Sequence, residues 1–265
     1  MPIALDATYS LGVNLSGIGV YSREMLFGLA RAHPEEEFYY CYRSHRFLRA
    51  YRDRLPKNAM RRLLIGTPPG DIFHALNQRV DAPARRTIST FHDLFVMTGE
   101  YSSADFRARF TAQARRAAEL SDLIIAVSQF TANQVEDLMR IPASRIRIVP
   151  HGVRMPPATS VPRENLVLFV GAIQRRKNVA RLVKAFEQMP PAWRLALAGA
   201  ADGFGAGEEL RAVEESPRRS GIDVLGYVSD RALQRLYERA AIFVFPSLDE
   251  GFGTSAEDRK PHTAF

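Results

Sequence analysis

Three cations in a row, Arg175, Arg176 and Lys177, follow the apolar run Leu166–Val170 and Gly171 in the stretch VGAIQRRKNVARLVKAF, and helical apolar spacing begins directly after them. Fixed positive charge beside a helix N-terminus, with its free backbone N–H groups, suits a diphosphate. A solvated basic loop is the plain alternative. Further along, PSLDEGFG follows the apolar run Ile242–Phe245. Gly251 and Gly253 would let backbone N–H groups face a phosphate. Glu250 supplies a carboxylate that can accept hydrogen bonds from sugar hydroxyls. A turn that merely ends a strand is the alternative there. In STFHDLF, His92 and Asp93 stand just past a strand, at the C-terminal edge where open α/β sheets bind ligands. That position favours a functional over a structural histidine. His74, at the end of DIFHALN, reads as structural or peripheral. In SGIGVYSRE, Gly17 and Gly19 fall between the first strand and the first helix. Small residues there admit a ligand to the backbone and a helix N-terminus holds an anion; a plain turn reads equally well.

Several other chemistries are missing by spacing. No G-x-x-x-x-G-K-S/T loop occurs, and GIGVYS has Ser22 where a dinucleotide fingerprint needs its third glycine. GFGAGEE, from Gly203, fails in the same way. No C-x-x-C, H-E-x-x-H or D-x-D is present, so no metal site is indicated.

The elements that must position these residues alternate along the chain. Strand-like runs at Ile3–Ala7, Phe38–Tyr42, Asp71–His74, Thr87–Phe91, Leu123–Val127 and Ile146–Val149 are interleaved with helical runs at Tyr21–Arg31, Ala104–Leu120 and Thr131–Met139. Such alternation predicts a parallel sheet covered by helices. The proline-rich HGVRMPPATSVPREN reads as a linker. The alternation then restarts, with strands at Leu166–Val170, Arg194–Ala198, Asp223–Leu225 and Ile242–Phe245 and helices at Val179–Gln188, Glu208–Glu215 and Asp230–Ala240. Two α/β units in tandem follow, the boundary falling at residues 152 and 153. The second has fewer strands than the five or six usual in a doubly wound unit.

Composition fits this picture. Of 265 residues, 46% are hydrophobic and 25% charged, as in a packed globular protein. No apolar run is long enough to span a bilayer, and MPIALDATYS lacks the charged and apolar regions of a signal peptide. The lone cysteine, Cys41, lies in an aromatic strand and reads as a buried, inert thiol. These features suit the cytoplasm. The formal net charge of +7 favours anionic partners. Between Tyr42 and Arg62, eight Arg or Lys accompany one acid, with Phe47, Leu48 and Tyr51 at helical spacing. A basic amphipathic helix at the inner face of an anionic membrane is one reading; an ordinary surface helix is the other, and the one favoured. Specific nucleic-acid binding would rest on charge alone, with no recognisable reading motif.

Taken together, GIGVYSREML, TFHDLF, DLIIAVSQFTANQ, RIRIVPHGV, VGAIQRRKN and LGYVSDRALQRLYERAAIFVFPSLDEGFG, in this order and spacing, resemble the family 4 retaining glycosyltransferases. The resemblance runs from Met1 to Gly253. It implies a GT-B fold of two Rossmann-like domains. Residues 1–152 would bind the acceptor, a saccharide or lipid-linked saccharide, and residues 153–265 the nucleotide-sugar donor. It implies that Arg176 and Lys177 hold the donor diphosphate and that Glu250 contacts the donor sugar. Gly251, Phe252 and Gly253 continue that donor-binding segment. His92 would lie near the donor sugar, and Gly17 and Gly19 in a loop over donor and acceptor. It implies sugar transfer with retention by internal return, no metal and no cofactor, the nucleotide-sugar being a substrate. Two positions depart from the family pattern. Ala172 stands where many members have arginine or threonine. The second carboxylate of the E-x7-E motif falls on Asp258, beside Glu257, in a polar context closed by Pro261 that would disrupt a helix. The family continues beyond this point, so the second domain is expected to be incomplete, with a tail of foreign character and Ala241–Phe245 left as an exposed sheet edge. A non-catalytic sugar- or membrane-associated remnant is the alternative function.

Overall fold

The computed structural model describes residues 2–12, 15–152 and 160–252. The chain divides into two compact units, one of Met1–Thr98, Asp105–His151 and Gly251–Phe265, the other of Gly99–Ala104 and Gly152–Glu250.

The first unit is built on short strands rich in branched and aromatic residues. In chain order it runs β1 (Ile3–Asp6), α1 (Gly17–Ala32), β2 (Phe38–Tyr42), α2 (Ser44–Phe47), β3 (Ala59–Leu63), β4 (Ile72–Ala75), β5 (Arg86–Phe91), α3 (Phe95–Thr98), α4 (Ala104–Leu120), β6 (Leu123–Ala126), α5 (Gln129–Met139) and β7 (Ile146–Ile148). The strands form one parallel sheet in the order β3-β2-β1-β4-β5-β6-β7. Successive strands are added outward from β1 on one side, and the winding then reverses at β4. The period of two sorts β2: Phe38, Tyr40 and Tyr42 join Leu26 and Ala30 of α1 in one core, while Cys41 faces the other core with Ala114, Ala117 and Ala118 of α4. Cys41 is fully buried, and burial, with Asp6 adding to it, pushes its thiol up to about 12. The expected inert thiol is thus found.

Helix α1 starts a turn earlier than its apolar spacing predicts. Ser16 caps it, its hydroxyl accepting from the Gly19 N–H at 3.3 Å. The basic stretch is a clearer departure. It is not one amphipathic helix but the short α2, a 3-10 turn over Leu48–Arg52, and the edge strand β3. Pro56 lacks the N–H a continuing helix would need, and β2 offers a free edge that Ala59–Leu63 takes in register Phe38↔Ala59.

The second unit runs β8 (Glu164–Val170), α6 (Val179–Phe186), β9 (Arg194–Ala198), α7 (Ala206–Glu214), β10 (Ile222–Gly226), α8 (Asp230–Arg239) and β11 (Ala240–Phe243). Its parallel sheet has the order β10-β9-β8-β11. Its two faces are unequally covered. Val167, Phe169, Leu195 and Leu197 pack on Val179, Val183 and Phe186 of α6 and Val213 of α7. On the opposite face, Leu166, Leu168 and Ala196 form a smaller cluster with buried Ala198 and Ala240, packed against partly buried residues such as Leu236 of α8. Strand β11 is the edge next to β8, with Ile242 37%, Phe243 48% and, just beyond, Phe245 45% exposed. Among the described residues no helix is long and apolar enough to cross a membrane.

Candidate functional site

In the second unit, β8 gives way to Gly171 at φ +153° and β9 to Gly199 at φ +149°. A Cβ on Gly199 would stand 2.0 Å from the Gly171 carbonyl oxygen, so the two loops meet backbone on backbone and only glycine fits. This fixes the start of the segment that carries the cations. Arg175–Lys177 form a 3-10 turn closed by Asn178 in the left-handed conformation, φ +56°. Hydrogen bonds tie the segment after β11 to that turn: Leu248 N–H donates to the Arg176 carbonyl at 2.8 Å, and Asn178 Nδ2 donates to the Pro246 carbonyl at 3.2 Å. Glu250 is thereby delivered to the cations. Lys177 Nζ lies 2.5 Å from Glu250 Oε1 and Arg176 Nη1 2.7 Å from Glu250 Oε2. Arg176 Nη1 also donates to the Asp249 carbonyl at 2.5 Å, and Lys177 Nζ sits 4.3 Å from the Phe245 ring centroid. Arg176 and Lys177 are buried. Burial alone would raise the Glu250 carboxyl, but the charges of Lys177 and Arg176 outweigh it and hold the group below the usual carboxylate range.

Two expectations change here. Arg175 is not part of the cluster; it turns outward to Glu208 at 2.8 Å. The first turn of α6 is not freely available to an anion either, because the buried Glu209 carboxylate already accepts from the Ala180 N–H at 2.7 Å. The cationic side chains, rather than this N–H, are what the site offers a diphosphate. Among the described residues no group of three His, Cys, Asp or Glu side chains could hold a metal ion.

In the first unit, His92 follows β5 and is buried. Its Nε2 lies 3.0 Å from the Leu76 carbonyl oxygen. A carbonyl only accepts, so Nε2 carries the proton and Nδ1 keeps its lone pair. Burial, with nearby His151 contributing, lowers the imidazole to about 4, so the ring is neutral near pH 7. The Tyr21 ring stands edge-on to it at 4.6 Å, and His151 stacks on it at 5.4 Å and 21°. Behind them Thr90 Oγ1 is shared by Tyr21 Oη at 3.2 Å and His74 Nε2 at 2.8 Å, which gives His74 the structural place expected of it. Gly251 belongs to this unit. Its carbonyl accepts from Ser128 Oγ and, at 2.7 Å, from Thr131 Oγ1, and a Cβ on it would stand 1.7 Å from the His92 carbonyl oxygen. Phe252 lies 5.2 Å from the His151 ring. Gly17 and Gly19 are inside the first turn of α1 rather than in a loop; a Cβ on Gly19 would press on the Tyr9 carbonyl oxygen at 2.9 Å. Gly253, Glu257, Asp258 and Pro261 lie outside the described residues. Tyr21, His151 and Gly199 were not singled out from the sequence, because each owes its place to a segment far along the chain.

Residues 16–155 match Glycosyltransferase Family 4, and residues 155–257 match Glycosyl transferases group 1. The chain is 30% identical over 200 residues to the O-antigen chain mannosyltransferase B of Escherichia coli, a match covering 69% of this chain and 52% of that protein. It is 27% identical over 210 residues to the serotype-specific mannosyltransferase WbdA of Escherichia coli, covering 69% of this chain and 25% of that one. The chain thus spans about half the length of the first relative and a quarter of the second. In fold it is similar to a sucrose-phosphate synthase from Thermosynechococcus elongatus, with a TM-score of 0.65 at 19% identity over 97% of this chain and 78% of that one. It is likewise similar to Anabaena HepE in complex with UDP, with a TM-score of 0.59 at 12% identity over 93% and 74%. Two parallel α/β units with ligand-edge residues at their strand ends, and a family match over more than half the sequence, lead to one assignment: the chain belongs to glycosyltransferase family 4.

Proposed function

We propose that this chain carries the parts for moving a sugar from a nucleotide-sugar donor to a saccharide or lipid-linked acceptor, with retention and without a metal. The observation that carries the reading is the buried cluster of Arg176, Lys177 and Glu250 at the strand ends of the second unit. Two cations against one carboxylate leave a net positive charge, suited to the donor diphosphate. Glu250, held ionised, accepts hydrogen bonds from donor hydroxyls and orients the ring. As the bond from the anomeric carbon to the diphosphate oxygen breaks, its electron pair leaves with the diphosphate, whose growing charge Arg176 and Lys177 stabilise. The acceptor oxygen bonds the same carbon from the same face, and its proton passes to the departing phosphate oxygen. His92, neutral and fixed through Nε2, keeps on Nδ1 a lone pair able to accept from a sugar hydroxyl. The first unit takes the acceptor. Because the relatives named above are mannosyltransferases, a mannosyl donor is the first to test. The exposed Leu48, Tyr51 and Ile65 among exposed arginines of the first unit support a peripheral place at an anionic membrane, on its cytoplasmic side.

Calorimetric titration of the full chain with GDP and UDP tests the donor site. Each charge-assisted contact contributes about 1.5–3 kcal/mol, so Lys177→Ala is expected to weaken nucleotide diphosphate binding at least about tenfold. The wild-type affinity is expected to be the same in EDTA. Equal affinity in wild type and variant would remove the assignment.

A further inference from the structure

Glu250 touches the two side chains that a donor diphosphate would use. Its Oε1 lies 2.5 Å from Lys177 Nζ and its Oε2 2.7 Å from Arg176 Nη1, one oxygen to each cation, as two phosphate oxygens would be. All three residues belong to the second unit, and their side chains are only 7% (Arg176), 11% (Lys177) and 13% (Glu250) exposed, so salt and water screen the cluster little. Arg176 Nη1 is engaged a second time by the Asp249 carbonyl, which takes up both of its hydrogens. An anion drawn to these cations therefore meets a carboxylate already on them, and two anions at one site disfavour each other. The backbone beside Glu250 is pinned: the Leu248 N–H and the Asp249 carbonyl are both bonded to Arg176. Giving up the cations thus needs only rotation about the side-chain bonds of Glu250. The fate of the displaced carboxylate depends on the ligand. A nucleotide-sugar brings sugar hydroxyls that donate to it. A bare nucleoside diphosphate lacks that sugar and leaves it a buried anion without a partner, which is costly.

We propose that Glu250 competes with the diphosphate for Arg176 and Lys177, so that the clamp retains a nucleotide-sugar but releases the bare nucleoside diphosphate once the sugar has gone. This role rests on the sugar transfer proposed above. Product release limits turnover in many enzymes, and a carboxylate that reclaims the cations hastens it. Calorimetric titration of the full chain with GDP and UDP tests the competition. Glu250→Gln, equal in shape and without the charge, is expected to bind the bare nucleotide about tenfold more tightly than the wild type. Glu208→Gln removes the same charge from the neighbouring surface pair with Arg175 and is expected to change the affinity little. Unchanged or weaker binding in Glu250→Gln, or an equal gain in Glu208→Gln, would overturn the proposal. Should Glu250→Gln fail to fold because two buried cations lack a counter-charge, inorganic pyrophosphate is expected to restore its fold on dilution from urea. The fluorescence of Trp193, the single tryptophan, packed on the core of the second unit, reports this; a variant that stays unfolded in pyrophosphate would refute the competition. The Lys177→Ala titration separates the two readings. Binding lost in Lys177→Ala but not gained in Glu250→Gln would keep the donor clamp and remove the competition, whereas no nucleotide binding by wild type or Glu250→Gln would remove both.

Discussion

Two histidines of the first unit sit where a proton is unwelcome. Burial, with His92 adding to it, lowers His74 to about 4, and His92 itself is lowered to about 4. An unfolded imidazole takes its proton near pH 6.5. Between these values the unfolded chain binds more protons than the folded one, so stability rises with pH across the window and falls as pH drops from about 6.5 towards 4. At pH 5 the cost amounts to roughly 2 kcal/mol per histidine. Urea unfolding at pH 7.5 and at pH 5 is therefore expected to give a clearly lower midpoint at pH 5, and His74→Gln should flatten the difference. Equal midpoints in the wild type would contradict the assignment of neutral rings. At this scale a good part of the candidate cluster was legible in the sequence. Arg176, Lys177 and Glu250 were legible because each follows a strand within a few residues, so local pattern alone puts it at a strand end. Gly199 was not legible, since what marks it is the close approach of the Gly171 carbonyl in three dimensions. His151 was hidden too, its ring meeting His92 across a long stretch of chain.

Among the elements, β11 is the most exposed to misuse. It is an edge, short and without charge, with Phe243 stacked 6.3 Å from Phe245 in partial contact with water. Such an edge templates pairing with other chains unless a charge blocks it. Phe243→Lys is expected to suppress light scattering on heating while changing the unfolding midpoint little; unchanged scattering would place the sticky surface elsewhere. The strong periodic elements were readable in advance: α4 and β9 have the bounds their patterns suggest, because one face of each is plainly apolar. Strand β3 was not, since AMRRL has no alternation and owes its extended form to the edge of β2. Helix α6 shows the same limit in another way. Its first turn lacks a cap of its own and borrows the carboxylate of Glu209 from α7, a pairing no local reading could supply.

For the molecule as a whole, charge is the property composition describes best. The net +7 was plain from counting, but which cations share a surface with apolar groups depends on the path of the chain. Leu48, 82% exposed, and Tyr51, 62% exposed, lie among exposed arginines. Basic residues near an anionic surface contribute about 1 kcal/mol each. The full chain is expected to sediment with vesicles containing phosphatidylglycerol and not with pure phosphatidylcholine, the binding fading at high salt and with Leu48→Asp; equal retention on both vesicles would refute a peripheral role. The hidden thiol of Cys41 has a practical consequence. With one cysteine in the sequence, shut inside the first sheet and held protonated, the folded surface is blank to thiol reagents. A cysteine placed at any exposed position, such as Lys57, would be the single group a maleimide reaches, so a fluorophore or spin probe can be put on one chosen residue of the native chain without first removing Cys41.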